Sequence, residues 1–170
     1  RRIEWLAVRA LLNFIVGPEI RLNYLPDGAP VLVGNPFRIS ISHTGKYIAV
    51  MLHPNQLCGI DIELTTRNVG KAAGRFLSAG EWANCSKSKD VDRMMLLHWC
   101  AKEAAFKMIP HSDIDFARHI NLVTGEFNPL GGRLSGSYLK GGRGASFEVQ
   151  YFILGELMIA WCSAPDVMFE

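Results

Sequence analysis

The sequence predicts an α+β fold of two pseudo-symmetric subdomains, each with a helix packed on a small antiparallel sheet. Two observations support this prediction. The predicted elements follow the order helix, strands, helix, strands, and 170 residues suit one domain or two small subdomains that share a core. We expect an N-terminal subdomain over residues 1–56 and a C-terminal subdomain over residues 57–170. Because the chain starts at Arg1 rather than at a methionine, we expect the first subdomain to be truncated at its start.

Composition and charge narrow the class of protein. The chain is 49% hydrophobic and 20% charged, which excludes a disordered chain, a collagen-like fibre and a coiled coil. A net charge of only +2 argues against a dedicated nucleic-acid binder. The longest apolar run, residues 47–52, is far shorter than the roughly 20 residues of a membrane span. The four cysteines include no C-x-x-C pair, so we expect reduced, mostly buried thiols and a cytoplasmic protein.

The first half is predicted to contain one helix followed by strands. Residues 3–16 form an amphipathic helix with Leu11 and Phe14 on one face together with Ala7 and Ala10, and Gly17 followed by Pro18 ends it. Strands are predicted at residues 22–25, 31–33, 37–42, 47–52 and 57–63. The strands at residues 37–42, 47–52 and 57–63 should form an antiparallel meander. Apolar and polar residues alternate along residues 37–42, which indicates a half-buried strand.

The second half is predicted to contain a long helix and a second set of strands. Ser78 and Glu81 have the spacing of a capping box at a helix start. A helix over residues 90–109 ends before Pro110. Its buried stripe should contain Leu97, Ala101, Ala104 and Met108. Strands are predicted at residues 119–123, 133–139, 146–153 and 157–163. The glycines and basic residues of 131–144 do not match a phosphate-binding loop, so we expect a hairpin or loop there.

Two segments carry carboxylates in positions suited to chemistry. Asp61 and Glu63 lie two apart on a predicted strand and face the same way, so their repulsion calls for a cation, a metal ion or an arginine. Solvated acids at a strand end are the alternative. Glu103 and Lys107 lie one helical turn apart on the flank of the buried stripe, where an ordinary salt bridge between them is the alternative.

A third segment places Ser42 and His43 at the end of a predicted strand. The histidine could bind an anion, act as a base or cap the turn. No G-x-S-x-G motif surrounds the serine, so it is not a nucleophile elbow.

Together these segments favour phosphate-ester or pyrophosphate chemistry with one divalent metal ion. Asp61, Glu63 and Glu103 supply three carboxylates from two elements. Oxygen ligands of this kind suit Mg²⁺, which takes few protein carboxylates together with substrate phosphates. Lys107 and His43 are cations or donors that could meet those phosphates.

Several segments, in this order and spacing, resemble one known family. GIDIE at residues 59–63 and WCAKEAAFK at residues 99–107 are similar to the paired signature of 4′-phosphopantetheinyl transferases. ISISHTG at residues 39–45 resembles the Ser-His motif of that family. RFLSAGEW at residues 75–82 and IDFARHINL at residues 114–122 resemble two further segments of it. The helix–strands pattern occurs twice, which favours the larger, two-subdomain type known from the surfactin synthetase activator, usually a monomer.

The resemblance implies transfer of 4′-phosphopantetheine from coenzyme A to a serine of an apo acyl or peptidyl carrier protein, with release of adenosine 3′,5′-bisphosphate. Such carriers serve fatty-acid, polyketide or nonribosomal-peptide synthesis. Asp61, Glu63 and Glu103 would hold Mg²⁺ against the pyrophosphate, so the metal site would lie in the C-terminal subdomain. Glu103 would also be the general base for the carrier serine, directly or through a water on the metal, and Lys107 would offset pyrophosphate charge. The coenzyme contacts carried over are Ser42, His43, Thr44, Asp61 and Lys107.

One position departs from the family pattern. Residues 28–30 are Gly-Ala-Pro where the family often has Gly-Lys-Pro, so a cation near the coenzyme is lost unless Arg21 or Arg38 replaces it. This departure supports the alternative of a non-catalytic carrier-protein or coenzyme-binding module on the same fold. An unrelated metal-dependent phosphohydrolase is a further alternative, but it would not account for the two extended motifs.

Overall fold

The N-terminal part of the chain forms one helix and two hairpins. The computed structural model describes residues 2–169. Helix α1 spans Arg2–Ile15. Strand β1 (Arg21–Tyr24) pairs antiparallel with β2 (Pro30–Val33), and β3 (Arg38–Thr44) pairs antiparallel with β4 (Tyr47–His53). These elements share a small hydrophobic cluster of Val8, Leu12, Leu22, Leu32 and Ile39.

The apolar face predicted for α1 agrees with the structure only in part, since Ala7 and Leu11 are half-buried. Val8 and Leu12 are the buried residues, whereas Phe14 is almost fully exposed. Arg2, Arg9 and Asn13 lie on one side of this helix, but the apolar arc opposite them is wide, so the helical period does not fix which part of that arc is buried. The packing of α1 on β4 selects it instead.

A five-stranded antiparallel sheet forms the second part. Its strands are β5 (Leu57–Leu64), β6 (Ile120–Val123), β7 (Gly132–Lys140), β8 (Arg143–Leu154) and β9 (Leu157–Ala164), in the spatial order β5-β9-β8-β7-β6. Gly141 and Gly142 form the turn between β7 and β8, and both have positive φ, 61° and 82°. A two-residue turn of this kind matches the twist of a tight hairpin, so the hairpin predicted for residues 131–144 is confirmed.

Four helices accompany this sheet, namely α2 (Ala73–Phe76), α3 (Ala79–Cys85), α4 (Val91–Met108) and α5 (Phe116–His119). The capping box is confirmed, since the Ser78 side chain accepts from the Glu81 amide and the Glu81 side chain accepts from the Ser78 amide. The predicted stripe of α4 is also confirmed, because all four of its residues are buried in the main core. Helices α2 and α5 were not predicted, since four residues are too few to establish a helical period.

The sequence predicted that β5 would complete a meander with β3 and β4, and this prediction was wrong. Strand β5 pairs with β9 on one edge, and its other edge faces β3 through side chains. The Ile60 amide donates to Ser40 Oγ at 3.0 Å, and the Ile62 amide donates to Ser42 Oγ at 3.2 Å. The serine face of β3 is therefore buried against β5, while Ile39 on the opposite face joins the N-terminal cluster. Both faces of β3 are covered, which corrects the prediction of a half-buried strand.

Two hydrophobic clusters thus lie on either side of the β3–β5 contact. The division of the chain at residue 56 stays a prediction. All four cysteines are buried free thiols, as predicted. None of the helices in residues 2–169 has the length and apolar character needed to cross a membrane.

Candidate active site

The candidate site lies where α4 packs directly on β5. A Cβ atom at Gly59 would lie 2.9 Å from the carbonyl carbon of Ala104 and 3.0 Å from the amide nitrogen of Met108. Only glycine permits so close an approach of strand to helix. The helix runs opposite to the strand, so its segment 99–107 lies along the carboxylates of the strand.

Asp61 is held in place through one of its two carboxylate oxygens. Ser42 Oγ donates to Asp61 Oδ1 at 2.7 Å, and Lys107 Nζ donates to the same oxygen at 2.8 Å. Lys107 Nζ also donates to the Ile60 carbonyl at 3.1 Å. Asp61 is only 5% exposed, and its second oxygen, Oδ2, is buried without a hydrogen-bond partner. A buried anionic oxygen without a donor is costly, so this atom is suited to receive a cation.

Glu63, also 5% exposed, is surrounded by donors. Its Oε1 accepts from the Arg67 guanidinium and from Trp99 Nε1, the latter at 3.1 Å, and Thr44 Oγ1 donates to Oε2 at 3.3 Å. The alternative of solvated acids at a strand end is therefore wrong. Sequence reasoning missed Arg67 and Trp99, although each lies four residues from a predicted site residue, Glu63 or Glu103.

Glu103 lies half-buried beside these two carboxylates. Burial raises the pKa of Glu103, the negative charge of Asp61 raises it further, and Lys107 opposes the rise. A glutamate with a raised pKa is better suited to accept a proton near neutral pH. Lys107 makes its ion pair with Asp61 across the strand–helix contact rather than serving only as the helix partner of Glu103.

The structure divides the Ser-His segment between two faces of β3. Ser42 and Thr44 contact the β5 carboxylates, whereas His43 is on the opposite face, exposed, with Nε2 4.0 Å from Glu4 Oε2 on α1. The Ser42 hydroxyl donates to Asp61 and accepts from the Ile62 amide, so it orients the carboxylate in this structure. A coenzyme contact for these three residues stays a prediction.

A divalent metal ion fits part of the predicted ligand set. Within residues 2–169, no three His, Cys, Asp or Glu side chains form a ready group of ligands. Asp61 Oδ2 lacks a hydrogen-bond partner, and the pKa of Glu103 is raised first by burial and then by the negative charges of Asp61 and Glu63, which Lys107 and Arg67 only partly offset. Both features suit a hard cation. Glu63, in contrast, has its Oε1 occupied by Arg67 and Trp99, and only Oε2, which accepts from Thr44 at 3.3 Å, remains less engaged.

A buried ion pair that sequence analysis did not foresee fixes α4. Lys102 is fully buried, and its ammonium donates to Glu81 Oε2 (2.7 Å), the Phe116 carbonyl (2.8 Å) and the Ile120 carbonyl (2.7 Å). Glu81 Oε1 accepts from the Leu122 amide at 2.8 Å. Burial lowers the pKa of Lys102, and the bond to Glu81 opposes this. The pair ties α3, α4 and β6 together directly beside Glu103.

The substitutes proposed for the missing family lysine differ in their surroundings. Arg38 Nη2 lies 3.0 Å from Asp166 Oδ2, so this guanidinium has a partner within the chain. Arg21 is exposed on β1.

Comparison with known proteins agrees with this site. The family model for the 4′-phosphopantetheinyl transferase superfamily matches residues 57–162, which is more than half of the chain. The chain is 31% identical over 112 residues to the 4′-phosphopantetheinyl transferase AcpT of Salmonella typhi, covering 63% of this chain and 58% of that protein. It is also 31% identical over 112 residues to AcpT of Escherichia coli K12, covering 57% of that protein. The chain therefore matches less than two thirds of the length of these curated relatives. The family match covers both carboxylate segments, and the chain belongs to the 4′-phosphopantetheinyl transferase superfamily.

Proposed function

We propose that this chain transfers 4′-phosphopantetheine from coenzyme A to a serine hydroxyl of an apo acyl or peptidyl carrier protein and releases adenosine 3′,5′-bisphosphate. The observation that carries the proposal is the cluster of Asp61, Glu103 and Lys107 at the α4–β5 contact. This cluster lies on the two segments that carry the family signature, within the matched range 57–162. The curated relatives named as phosphopantetheinyl transferases support the same class of reaction.

In the proposed reaction, the serine oxygen forms a new bond to the phosphorus next to the pantetheine arm. The phosphoanhydride bond to the adenosine half of the coenzyme breaks, and that half leaves with the bonding electron pair. Glu103 takes the serine proton, since its raised pKa makes it a more effective base near neutral pH. A serine hydroxyl is a weak nucleophile unless its proton is removed as the bond forms.

Lys107 and Ser42 prepare the site for this charge. The Lys107 ammonium is partly accessible, with 26% of its side chain exposed, so it can reach the pyrophosphate without leaving Asp61 entirely. Ser42 holds one oxygen of Asp61 and thereby leaves the other oxygen free. Asp61 and Glu103, with Glu63 as a third ligand, would hold Mg²⁺, which supplies charge neutralisation at the pyrophosphate. We further propose a monomeric enzyme whose coenzyme contacts include Thr44 and His43.

The test is intact-protein mass spectrometry of an apo acyl carrier protein and an apo peptidyl carrier protein, each mixed with the chain, coenzyme A and Mg²⁺. We expect the carrier mass to increase by one phosphopantetheine. The increase should be absent with EDTA and absent with a carrier whose modified serine is replaced by alanine. If none of several carriers gains mass, the proposal is contradicted for this chain.

One variant with its matched control tests the site, and two outcomes with wild-type protein would favour the alternatives. Asp61→Asn should lose transfer, while Glu148→Gln, an exposed carboxylate on β8, should keep it as the matched control. Carrier binding by the wild type without any transfer would favour the non-catalytic module. Breakdown of coenzyme A without a carrier would favour the phosphohydrolase.

A further inference from the structure

Arg67 is a cation of the site that none of the predicted roles includes. It follows β5 and places its guanidinium on Glu63 Oε1, with its carbon 5.3 Å from the centre of the Trp99 ring. About half of its side chain, 47%, stays exposed to solvent. The pKa of Arg67 is raised, first by the hydrogen bond with Glu63 and also by the charges of Asp61 and Glu103. Arg67 therefore contacts Glu63 directly, and the negative charges of Asp61 and Glu103 favour its cationic form.

Arg67 and Lys107 each form an ion pair with a different carboxylate of β5. Lys107 pairs with Asp61 and leaves Oδ2 of that residue without a partner. Arg67 instead pairs with Glu63, whose other contacts come from Trp99 and Thr44. Asp61 thus has one oxygen without a hydrogen-bond partner, whereas Glu63 has Oε1 paired with a cation and Oε2 bonded only to Thr44.

We propose that Arg67 is a positioning residue that competes with the divalent cation for Glu63, because it occupies Oε1 and leaves the ion only Oε2, which accepts from Thr44. The affinity of the site for a divalent cation is then set partly by this internal competitor. The inference rests on the proposed function, because it takes Glu63 as a metal ligand. A competing role and a purely structural role predict opposite changes in metal affinity. Loss of a competitor should strengthen metal binding, whereas loss of a structural contact should weaken it.

The geometry makes the release of Glu63 by Arg67 feasible. The guanidinium lies at the surface over an aromatic face, where a released arginine can remain stacked instead of losing all its contacts. Arg67 is about half exposed although Glu63 is buried, so we assign the pair about 0.7–1 kcal/mol, the upper part of the range for exposed ion pairs, which corresponds to a change in affinity of about three- to fivefold.

Trp99 provides a reporter that does not depend on catalysis. Its indole N–H donates to Glu63 Oε1, so a change of partner at Glu63 should move the indole resonance. The chain contains only four tryptophans, so ¹⁵N-labelled indole groups give few signals, and Trp99→Phe assigns the relevant one. We would titrate metal-free protein with Mg²⁺ and follow this signal in wild type and in Arg67→Met. Methionine keeps an apolar stem over the ring but removes the charge.

We expect the Trp99 signal to shift with Mg²⁺ in both proteins, with a dissociation constant about three- to fivefold lower in Arg67→Met. Arg67→Lys, which keeps the charge without the planar fork, should lie between them. Arg93→Met should behave as wild type, since Arg93 pairs with Asp90 at the far end of α4. An unchanged or weaker affinity in Arg67→Met, or a Trp99 signal that does not respond to Mg²⁺, would overturn the inference. The carrier mass assay on wild type decides the proposed function separately.

Discussion

Gly59→Ala tests the close contact on which the candidate site depends. The added methyl group would meet Ala104 and Met108 at backbone atoms 2.9 and 3.0 Å away, well inside ordinary van der Waals contact. Helix backbone cannot turn aside as a flexible side chain can, so α4 must move away from β5. Forcing extra volume into a packed core costs about 1–3 kcal/mol, which for a chain of this size lowers the melting temperature by roughly 3–10 °C.

The same movement should damage the chemistry. It would separate Lys107 from Asp61, now 2.8 Å apart, and move Glu103 with its helix. A misplacement of about 1 Å at a reacting centre can lower a rate about 100-fold. We therefore expect transfer to fall much more than the folded fraction at the assay temperature.

Circular dichroism melting and the carrier mass assay, run on the same samples, measure both effects. Gly80→Ala is the matched control, because this exposed glycine of α3 has no atom within 4 Å of an added Cβ and does not have a positive φ. It should be neutral or slightly stabilising, by up to about 1 kcal/mol. If Gly59→Ala melts and reacts like wild type, the reasoning from the close approach is refuted.

Three further outcomes are expected. Lys102→Ala should lower the free energy of unfolding by about 3–5 kcal/mol in urea titrations, because it leaves Glu81 as an unpaired buried charge, and a smaller loss would contradict this. Lys107→Ala should lower transfer strongly but melt above Lys102→Ala, since Lys107 is partly exposed. The folded-state pKa of Glu103 is raised above its reference value of 4.5, so the folded protein binds this proton more tightly than the unfolded chain does. The free energy of unfolding should therefore fall as the pH rises above about 4.5 and the carboxyl group ionises. In EDTA, Glu103→Gln should therefore unfold at higher urea than wild type at neutral pH, with no difference near pH 4, and the reverse order would refute the stated cause.

The sequence predicted the elements that local pattern determines. The capping box at Ser78, the buried stripe of α4 and the shared face of Asp61 and Glu63 all depend on spacing along one helix or strand, and all agree with the structure. The buried face of α1 was predicted only in part, because its apolar arc is wide and the contact with β4 buries Val8 and Leu12 rather than Phe14.

The contacts that assemble the site depend on residues far apart in the chain. Lys102 and Glu81 are 21 residues apart, and neither the capping box nor the helix period indicates that they meet in the core. Ser40 and Ser42 resemble the polar face of a half-buried strand, yet they accept bonds from β5 because no backbone ladder joins the two strands there. Arg67 could have been suggested by its position four residues after Glu63, but its stacking over Trp99 requires the folded α4–β5 contact.

In the proposed reaction, Glu103 removes the proton from the carrier serine at the α4–β5 contact. The most direct test is the single-turnover rate of holo-carrier formation, followed by intact mass with saturating coenzyme A and Mg²⁺. We expect Glu103→Gln to be about 100- to 10,000-fold slower than wild type, while the exposed control Glu148→Gln keeps the wild-type rate. If Glu103→Gln transfers phosphopantetheine within a few-fold of the wild-type rate, Glu103 is not the base and the account of this site is contradicted.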